Sequence, residues 1–214
     1  VDWAAVHAAV TPKTRAIIVN TPNNPTGNTF SELDLIELEQ LAERHNLWVI
    51  SDEVYEHMVF DGVLHQSALR RPALAARTIH VASFGKTLHV TGWKVGYVIA
   101  PVALTQAVRA VHQFNTFTVA TPLQLGIATY LNEHPQATWA LPAFCQAKRD
   151  RFRLGLVGTG LRLLPCQGTY FQLVDYSGLD QFSKMSDVEF AVYLTQHIGV
   201  AAIPLSPFYG APPA

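Results

Sequence analysis

Charged residues are scarce in this sequence: they make up 14% of its 214 residues, whereas 49% are hydrophobic. The formal net charge is −1 and no three lysines or arginines stand together, so the chain lacks the positive field that gathers nucleic acid. The longest apolar stretch, residues 95–104, contains Pro101 and is shorter than the roughly 20 residues of a membrane-spanning helix. We therefore expect neither nucleic acid nor a membrane as a partner.

Cysteine is also rare, because only Cys145 and Cys166 occur. Two cysteines in a chain of this size predict reduced thiols rather than a disulfide framework, which favours a cytoplasmic location. The nine histidines include no His-Glu-x-x-His pattern and no zinc-like spacing with cysteine, so no metal site is predicted. Neither end of the sequence is typical of a natural terminus or of a signal peptide, and we expect the chain to be part of a longer protein.

Short β-rich segments alternate with amphipathic helical patterns in the first part of the chain. Residues 16–20 and 47–51 are predicted strands, and they flank a predicted helix over 32–45 that begins at Ser31 as its N-cap. Two further predicted strands are residues 78–82 and 94–100. This alternation is typical of an α/β fold with a parallel sheet.

The later part of the chain has a different character. Helical patterns cover residues 102–131 and 135–156, and Gly155 to Gly160 is interpreted as a helix stop rather than a dinucleotide loop. Beyond it we expect a smaller α+β domain, with a boundary that assigns residues 1–135 to a large domain and 136–214 to a small one. Its predicted elements are strands at 162–165, 170–175 and 200–203, a helix at 187–197, and a core stripe formed by Tyr170, Phe171, Leu173 and Val174.

Two lysines and a hydroxyl follow the third predicted strand, in the segment that begins Ser83-Phe-Gly-Lys86 and continues to Lys94. A lysine that attacks a carbonyl must be partly deprotonated, and a second cation nearby favours deprotonation. Ser83 and Lys94 are equally suited to hold a phosphate group, one as a hydrogen-bond donor and the other as a charge. Taken alone, the lysines are also compatible with a solvated surface.

Asp52 and Tyr55 follow the predicted buried strand at 47–51. A carboxylate there can pair with a protonated heterocyclic nitrogen, and a phenol can bond a neighbouring oxyanion. The alternative is structural: the aspartate caps the next turn and the tyrosine ring packs.

Asn24 lies in another candidate segment, residues 20–27, which has the composition of a tight turn. Its amide can donate to a phenolate oxygen or to a substrate carboxylate. Ligands bind at the carboxyl ends of strands in open α/β sheets, so we expect Asn24, Asp52 and Lys86 to converge on one pocket.

From the N-terminal to the C-terminal side of the chain, the three segments read NxPNNPTG, SDEVY and SFxKxxxxxGWKxGY. This combination resembles the class I and II aminotransferases of fold type I, which use pyridoxal 5′-phosphate. Residues 111–119, 165–171 and 199–206 look most like the methionine and kynurenine aminotransferase branch. The resemblance implies a three-layer α/β sandwich with a mainly parallel sheet, plus part of a small α+β C-terminal domain.

The resemblance also implies a role for each candidate residue. Lys86 would be the Schiff-base lysine that later moves the proton at the substrate Cα, and Asp52 would pair with the pyridinium nitrogen. Tyr55 and Asn24 would bond the phenolic oxygen of the cofactor, and Asn24 would also contact the substrate carboxylate. Ser83 and Lys94 would hold the phosphate, although many family members carry arginine where this chain has Lys94.

The implied activity is transamination between a methionine-like or aromatic amino acid and a 2-oxo acid, in a homodimer. Two alternatives remain open at this point: a pyridoxal-phosphate-dependent β-lyase acting on cysteine conjugates, and a non-catalytic aminotransferase-like sensor domain of a regulator. By the same resemblance, the arginine that binds the substrate carboxylate and the N-terminal phosphate loop would lie outside this chain.

Overall fold

A four-stranded sheet in the order β1-β2-β3-β4 organises the fold in this computed structural model, which describes residues 1–210. The first three strands are parallel, and the fourth pairs antiparallel with the third. The register places Asn20 beside Asp52, and Asp52 beside Val81. The strands are β1 (Ala16–Asn20), β2 (Trp48–Asp52), β3 (Thr78–Ser83) and β4 (Gly96–Ile99). The prediction of a mainly parallel α/β sheet is confirmed.

Helices connect these strands and continue after them. The predicted helix over 102–131 is two helices, because residues 116–120 leave the helical path. The helices are α1 (Trp3–Ala9), α2 (Glu32–Arg44), α3 (Pro72–Ala75), α4 (Phe84–Thr87), α5 (Val102–Asn115), α6 (Thr121–Glu133), α7 (Ala137–Gly155) and α8 (Asp187–Tyr193). No helix within residues 1–210 is long and apolar enough to cross a membrane.

Helix α2 shows how local sequence positions an element against the sheet. Ser31 caps it as predicted: the Asp34 backbone N–H donates to the Ser31 side chain, and the Asp34 carboxylate accepts from the Ser31 backbone. Leu35, Leu38 and Leu41 then fall on one face and are almost wholly buried. Burial of a leucine side chain contributes roughly 1.5–3 kcal/mol, so this face fixes α2 in the core that contains β2.

The chain divides into two compact units. The first contains Val1–Arg151 and Pro165–Leu173, and the second contains Phe152–Leu164 and the residues from Val174 onward. The domain assignment to residues 1–135 and 136–214 stays a prediction. Helix α7 ends at Gly155, as the interpretation of the glycines as a helix stop predicts.

The second unit has its own small core and sheet. Strands β5 (Arg162–Leu163) and β6 (Val174–Asp175) pair antiparallel, and the Tyr176 ring stacks on Phe190 with centroids 4.2 Å apart. The predicted strand at 200–203 is wrong, because the described part of the chain offers it no pairing strand and its side chains are exposed. A strand needs a neighbour to satisfy its backbone donors and acceptors.

Candidate active site

The carboxyl ends of β1 and β2 carry the first two candidate segments. The Asn20 side-chain amide and the Thr21 backbone N–H both donate to the backbone oxygen of Asp52, at 3.0 and 3.1 Å. The Asn20 side-chain oxygen in turn accepts from the backbone N–H of Asn24 at 2.8 Å. The loop that carries Asn24 is therefore fastened to the end of the strand that carries Asp52.

Asp52 is half-buried at the last position of β2. Its Oδ1 atom accepts from the backbone N–H of Val54 at 3.2 Å, so the aspartate does cap the following turn. This contact orients the carboxylate at the sheet edge and is compatible with the role that the resemblance implies.

Tyr55 is almost wholly buried, with 3% of its surface exposed. Burial raises the pKa of its hydroxyl well above the usual range, and the neighbouring Tyr170 hydroxyl raises that pKa further. A hydrogen bond with the Asn24 side chain lowers the pKa and opposes these effects. The structure therefore brings Asn24 and Tyr55 together and keeps the phenol protonated, as a donor.

Lys86 lies in α4, directly beyond β3. The Ser83 hydroxyl caps this short helix by accepting from the Gly85 backbone N–H at 3.1 Å. The Lys86 amine Nζ donates to the Tyr170 hydroxyl oxygen at 2.9 Å. Lys86 thereby joins the group around Tyr55 through a residue 84 positions away.

The structure gives Ser83 and Lys94 no contact with Asn24, Asp52, Tyr55 or Lys86 side chains among the hydrogen bonds of residues 1–210. The Ser83 hydroxyl, besides capping α4, donates to the backbone oxygen of Val95 at 3.3 Å. Lys94 is exposed and adopts a left-handed backbone conformation with φ of 57°. Their joint role in holding a phosphate stays a prediction.

Tyr170 is the residue at this site that sequence reasoning missed. The prediction that it forms part of a buried core is wrong, because half of its surface is exposed; it lies in the first compact unit. Its hydroxyl lies 3.5 Å from that of Tyr55, and the two rings meet edge to face. The contacts of Tyr170 join segments far apart in sequence, so no local pattern indicated them.

A buried charge cluster adjoins Asp52 and was also missed. Glu53 is wholly buried, and its carboxylate accepts a hydrogen bond from the Ser51 hydroxyl at 2.8 Å. The same carboxylate lies 2.6 Å from Nε2 of His65 and 3.3 Å from Nδ1 of His80. Burial acts to raise the pKa of Glu53, but the histidines outweigh burial and hold that pKa far below the usual range. Burial acts to lower the pKa of His80, but Glu53 outweighs burial and raises it. The sequence did contain a pattern that could have indicated this burial: Glu53 follows Val49 and Ser51 at alternate positions, and alternate residues of a strand face the same side.

The assembled group consists of an amine, a phenol, an amide and a carboxylate near the carboxyl ends of the three parallel strands β1, β2 and β3. An amine beside a hydroxyl can bond covalently to an aldehyde carbon and exchange protons. The carboxylate can stabilise a heterocyclic cation, and the phenol and amide can donate to an oxyanion. This donor set fits a pyridoxal ring: an aldehyde, a basic ring nitrogen and a phenolic oxygen.

Comparison with known proteins identifies aminotransferases as relatives of this chain. Residues 1–213 match the family model described as aminotransferase class I and II. Methionine aminotransferase of Escherichia coli (strain K12) is 48% identical over 212 residues, which cover 99% of this chain and 54% of that protein. Kynurenine–oxoglutarate transaminase 1 of Rattus norvegicus is 34% identical over 232 residues, covering 99% and 54%.

The solved structure of YbdL from Escherichia coli, for which a methionine aminotransferase function was identified, is also similar to this chain. Its TM-score is 0.94 at 48% sequence identity, and the match covers 99% of this chain and 55% of that one. The chain thus spans about half the length of the curated relatives it matches.

Proposed function

Because the chain belongs to the aminotransferase class I and II family, we propose that it carries the cofactor-binding part of a pyridoxal-phosphate-dependent transaminase. The observation that carries this proposal is that Lys86 and Tyr55 both contact Tyr170 at the carboxyl edge of the sheet, with Asn24 and Asp52 beside Tyr55. The family depends on pyridoxal 5′-phosphate, and the fold is that of fold type I.

Each candidate residue then has a defined task toward the cofactor. When bound, pyridoxal phosphate supplies an electron sink that stabilises negative charge at the substrate Cα. Asp52 pairs with the ring nitrogen and keeps it cationic. Tyr55 and Asn24 donate to the phenolic oxygen, and a protonated phenol is suited to this because donation requires its proton.

Lys86 has two tasks that both depend on the lone pair of Nζ. It would hold the cofactor through the aldehyde carbon, and as a free amine it would accept the proton of the substrate Cα. Ser83 and Lys94 bind the phosphate, with Lys94 as a point charge rather than a bidentate guanidinium. Asn24 also contacts the substrate carboxylate.

We extend the proposal to the substrate through the likeness to the methionine and kynurenine enzymes. The donor would be methionine or an aromatic amino acid, and the acceptor a 2-oxo acid. The β-lyase and the sensor domain are not favoured, because the relatives described above carry transaminase names. We further propose a homodimer in the cytoplasm, with residues 1–135 in the large cofactor domain and 136–214 in the small domain.

Borohydride labelling tests the lysine assignment. The full-length protein is mixed with pyridoxal phosphate, reduced with borohydride, digested and mapped by mass spectrometry. We expect a single modified peptide carrying the label on Lys86, and no label at this peptide in Lys86→Ala. Modification of any other lysine in place of Lys86 would contradict the assignment.

A second assay separates the transaminase from the lyase. The protein is offered methionine with a 2-oxo acid and, separately, a cysteine conjugate. We expect transfer of the amino group from methionine to the 2-oxo acid. Release of pyruvate and ammonia from the conjugate without any amino transfer would overturn the transaminase proposal.

A further inference from the structure

The Lys86 amine contacts the hydroxyl of Tyr170. The distance from Lys86 Nζ to the Tyr170 oxygen is 2.9 Å, and Nζ also lies 5.6 Å from the centroid of the same ring. The first distance is that of a good hydrogen bond. Nζ therefore lies near the polar end of the ring, in a defined direction.

The segment that carries Tyr170 is fastened to both cofactor segments by its backbone. The backbone N–H groups of Gln167 and Gly168 both donate to the Gly27 oxygen, at 2.8 and 2.9 Å. The N–H of Thr169 donates to the Met58 oxygen at 2.9 Å, and Phe60 donates back to Gln167 at 2.8 Å. Gly27 belongs to the Asn24 loop and Met58 follows Tyr55, so Tyr170 is held against both.

Close packing removes the remaining freedom of this segment. A Cβ atom on Gly168 would lie 2.7 Å from the Met58 oxygen and 2.8 Å from Cβ of Pro22, so only glycine fits there. Thr169 is wholly buried at a φ of 68°, a left-handed conformation that costs a non-glycine residue about 1–2 kcal/mol. A strained residue next to Tyr170 persists because its surroundings fix it.

Two aromatic neighbours fix the Tyr170 ring itself. Tyr55 meets it edge to face with centroids 5.4 Å apart, and Phe171 packs against it at 4.7 Å. The ring is therefore anchored on one side, while its other side, with half of the residue's surface, stays exposed. The hydroxyl accordingly holds a fixed position beside Lys86.

We propose that Tyr170 is a positioning residue that accepts a hydrogen bond from the free Lys86 amine and so orients Nζ for proton transfer at the substrate Cα. This inference rests on the proposed transaminase function. A neutral amine has two N–H groups and one lone pair, so fixing one N–H restricts the direction of the lone pair. The Cα proton moves to that lone pair and gives an ammonium, and the Tyr170 oxygen stays an acceptor throughout.

Chemical labelling of the full-length protein, freed of cofactor, tests the contact directly. Acetic anhydride modifies unprotonated amines, and the exposed Lys13 serves as an internal standard. Tyr170→Phe keeps the ring and removes the hydroxyl that holds Nζ at 2.9 Å, so the released amine is free to attack the reagent and we expect Lys86 to be labelled about threefold faster relative to Lys13. Tyr130→Phe, at an exposed tyrosine of helix α6, should leave the ratio unchanged. An unaltered ratio in Tyr170→Phe would overturn the proposal.

Kinetics of the cofactor-loaded, full-length protein test the consequence. With the amine misoriented, kcat should fall about tenfold in Tyr170→Phe while KM changes less than about twofold. The isotope effect with α-deuterated methionine should rise, because proton transfer becomes more rate-limiting. A lower kcat with an unchanged isotope effect would indicate a general structural defect and refute the positioning role.

The two proposals fail in different ways. If borohydride attaches the cofactor to a lysine other than Lys86, the proposed function fails, whereas the labelling ratio still decides whether Tyr170 binds the amine. Should Tyr170→Phe fold poorly, as judged by circular dichroism, Tyr170→Leu provides the second variant, with the same expected rise in Lys86 labelling and the same contradicting result.

Discussion

Tyr55 and Tyr170 meet edge to face, with ring planes at 84° and hydroxyl oxygens 3.5 Å apart. Tyr55 is buried beside Asp52, and Tyr170 contacts Lys86. This pair therefore connects the segment proposed to bind the cofactor ring with the lysine proposed to bind its aldehyde. Edge-to-face pairs contribute about 0.5–1.5 kcal/mol beyond area burial, which helps to hold both hydroxyls in place.

Tyr55→Phe should weaken cofactor binding and leave the fold intact. The ring keeps its packing, but the hydrogen bond to the phenolic oxygen is lost, and such a bond to a charged group contributes about 1.5–3 kcal/mol. We expect the Kd for pyridoxal phosphate, measured by absorbance titration, to rise about tenfold or more. Tyr97→Phe removes a hydroxyl that donates to Glu56 at 2.6 Å and should change the Kd by less than about twofold. Equal effects would refute the assignment.

Lys94→Ala should discriminate between ligands with and without a phosphate. If Lys94 and Ser83 bind the phosphate, the variant loses affinity for pyridoxal phosphate by about tenfold, because one charge contact disappears. Its affinity for pyridoxal, which has no phosphate, should stay at the level of the unmodified protein. Lys13→Ala, at another exposed lysine, is the matched control. A parallel loss for both ligands would argue against phosphate binding by Lys94.

The Glu53 cluster should give stability a maximum in mildly acidic solution. The pKa of Glu53 is lower in the folded state than the usual value of about 4.3, so its contribution is present above that pH and is lost as pH falls. The pKa of His80 is raised above about 6.5, so its contribution is present below that pH and is lost as pH rises. Urea unfolding of the full-length protein from pH 3 to pH 9 measures how the free energy of unfolding falls on the acidic and on the basic side of this maximum.

Glu53→Gln should flatten the pH dependence of stability on both sides of the maximum and lower the free energy of unfolding by about 3 kcal/mol, because it leaves the partly buried His65 and the buried His80 without their carboxylate. Glu43→Gln, at an exposed position of α2, should change this free energy by less than about 0.5 kcal/mol. An unchanged pH profile in Glu53→Gln would show that other groups set the slopes.

Gly168→Ala should destabilise the first unit through steric overlap alone. The added Cβ meets the Met58 oxygen at 2.7 Å, and overpacking of this kind costs about 1–3 kcal/mol. Differential scanning calorimetry should show a lower Tm. Gly155→Ala meets nothing within 4 Å and should leave the Tm unchanged or slightly higher. A neutral Gly168→Ala would mean that the segment carrying Tyr170 yields easily.

Local chemistry accounts for what could be predicted from the sequence. Ser31 caps α2 because a cap depends on residues three positions apart, and β1 has its predicted bounds because its apolar run is short and bounded. Asp52 lies at the end of its strand for the same reason. These features are set by near neighbours, so their patterns are visible in the sequence.

Long-range contacts account for what could not. Tyr170 binds Lys86 across 84 positions, and His80 approaches Glu53 because strands β2 and β3 are neighbours in the sheet. A pattern of aromatic residues such as Tyr170-Phe171 is typical of a core, and only the packing of its segment on Gly27 and Met58 reveals another role.

The hydrogen bonds that bind Gln167 and Gly168 to Gly27 also have a consequence for synthesis of the protein. The nearby bond between Thr29 and Gln167 spans 138 positions, and closing so long a loop carries an entropic cost that local contacts do not have. On the ribosome, Lys86 emerges with its sheet well before Tyr170 is translated. We therefore expect the nascent chain to hold a sheet with its lysine unrestrained, and the amine to gain its partner only when the later segment has emerged and docked.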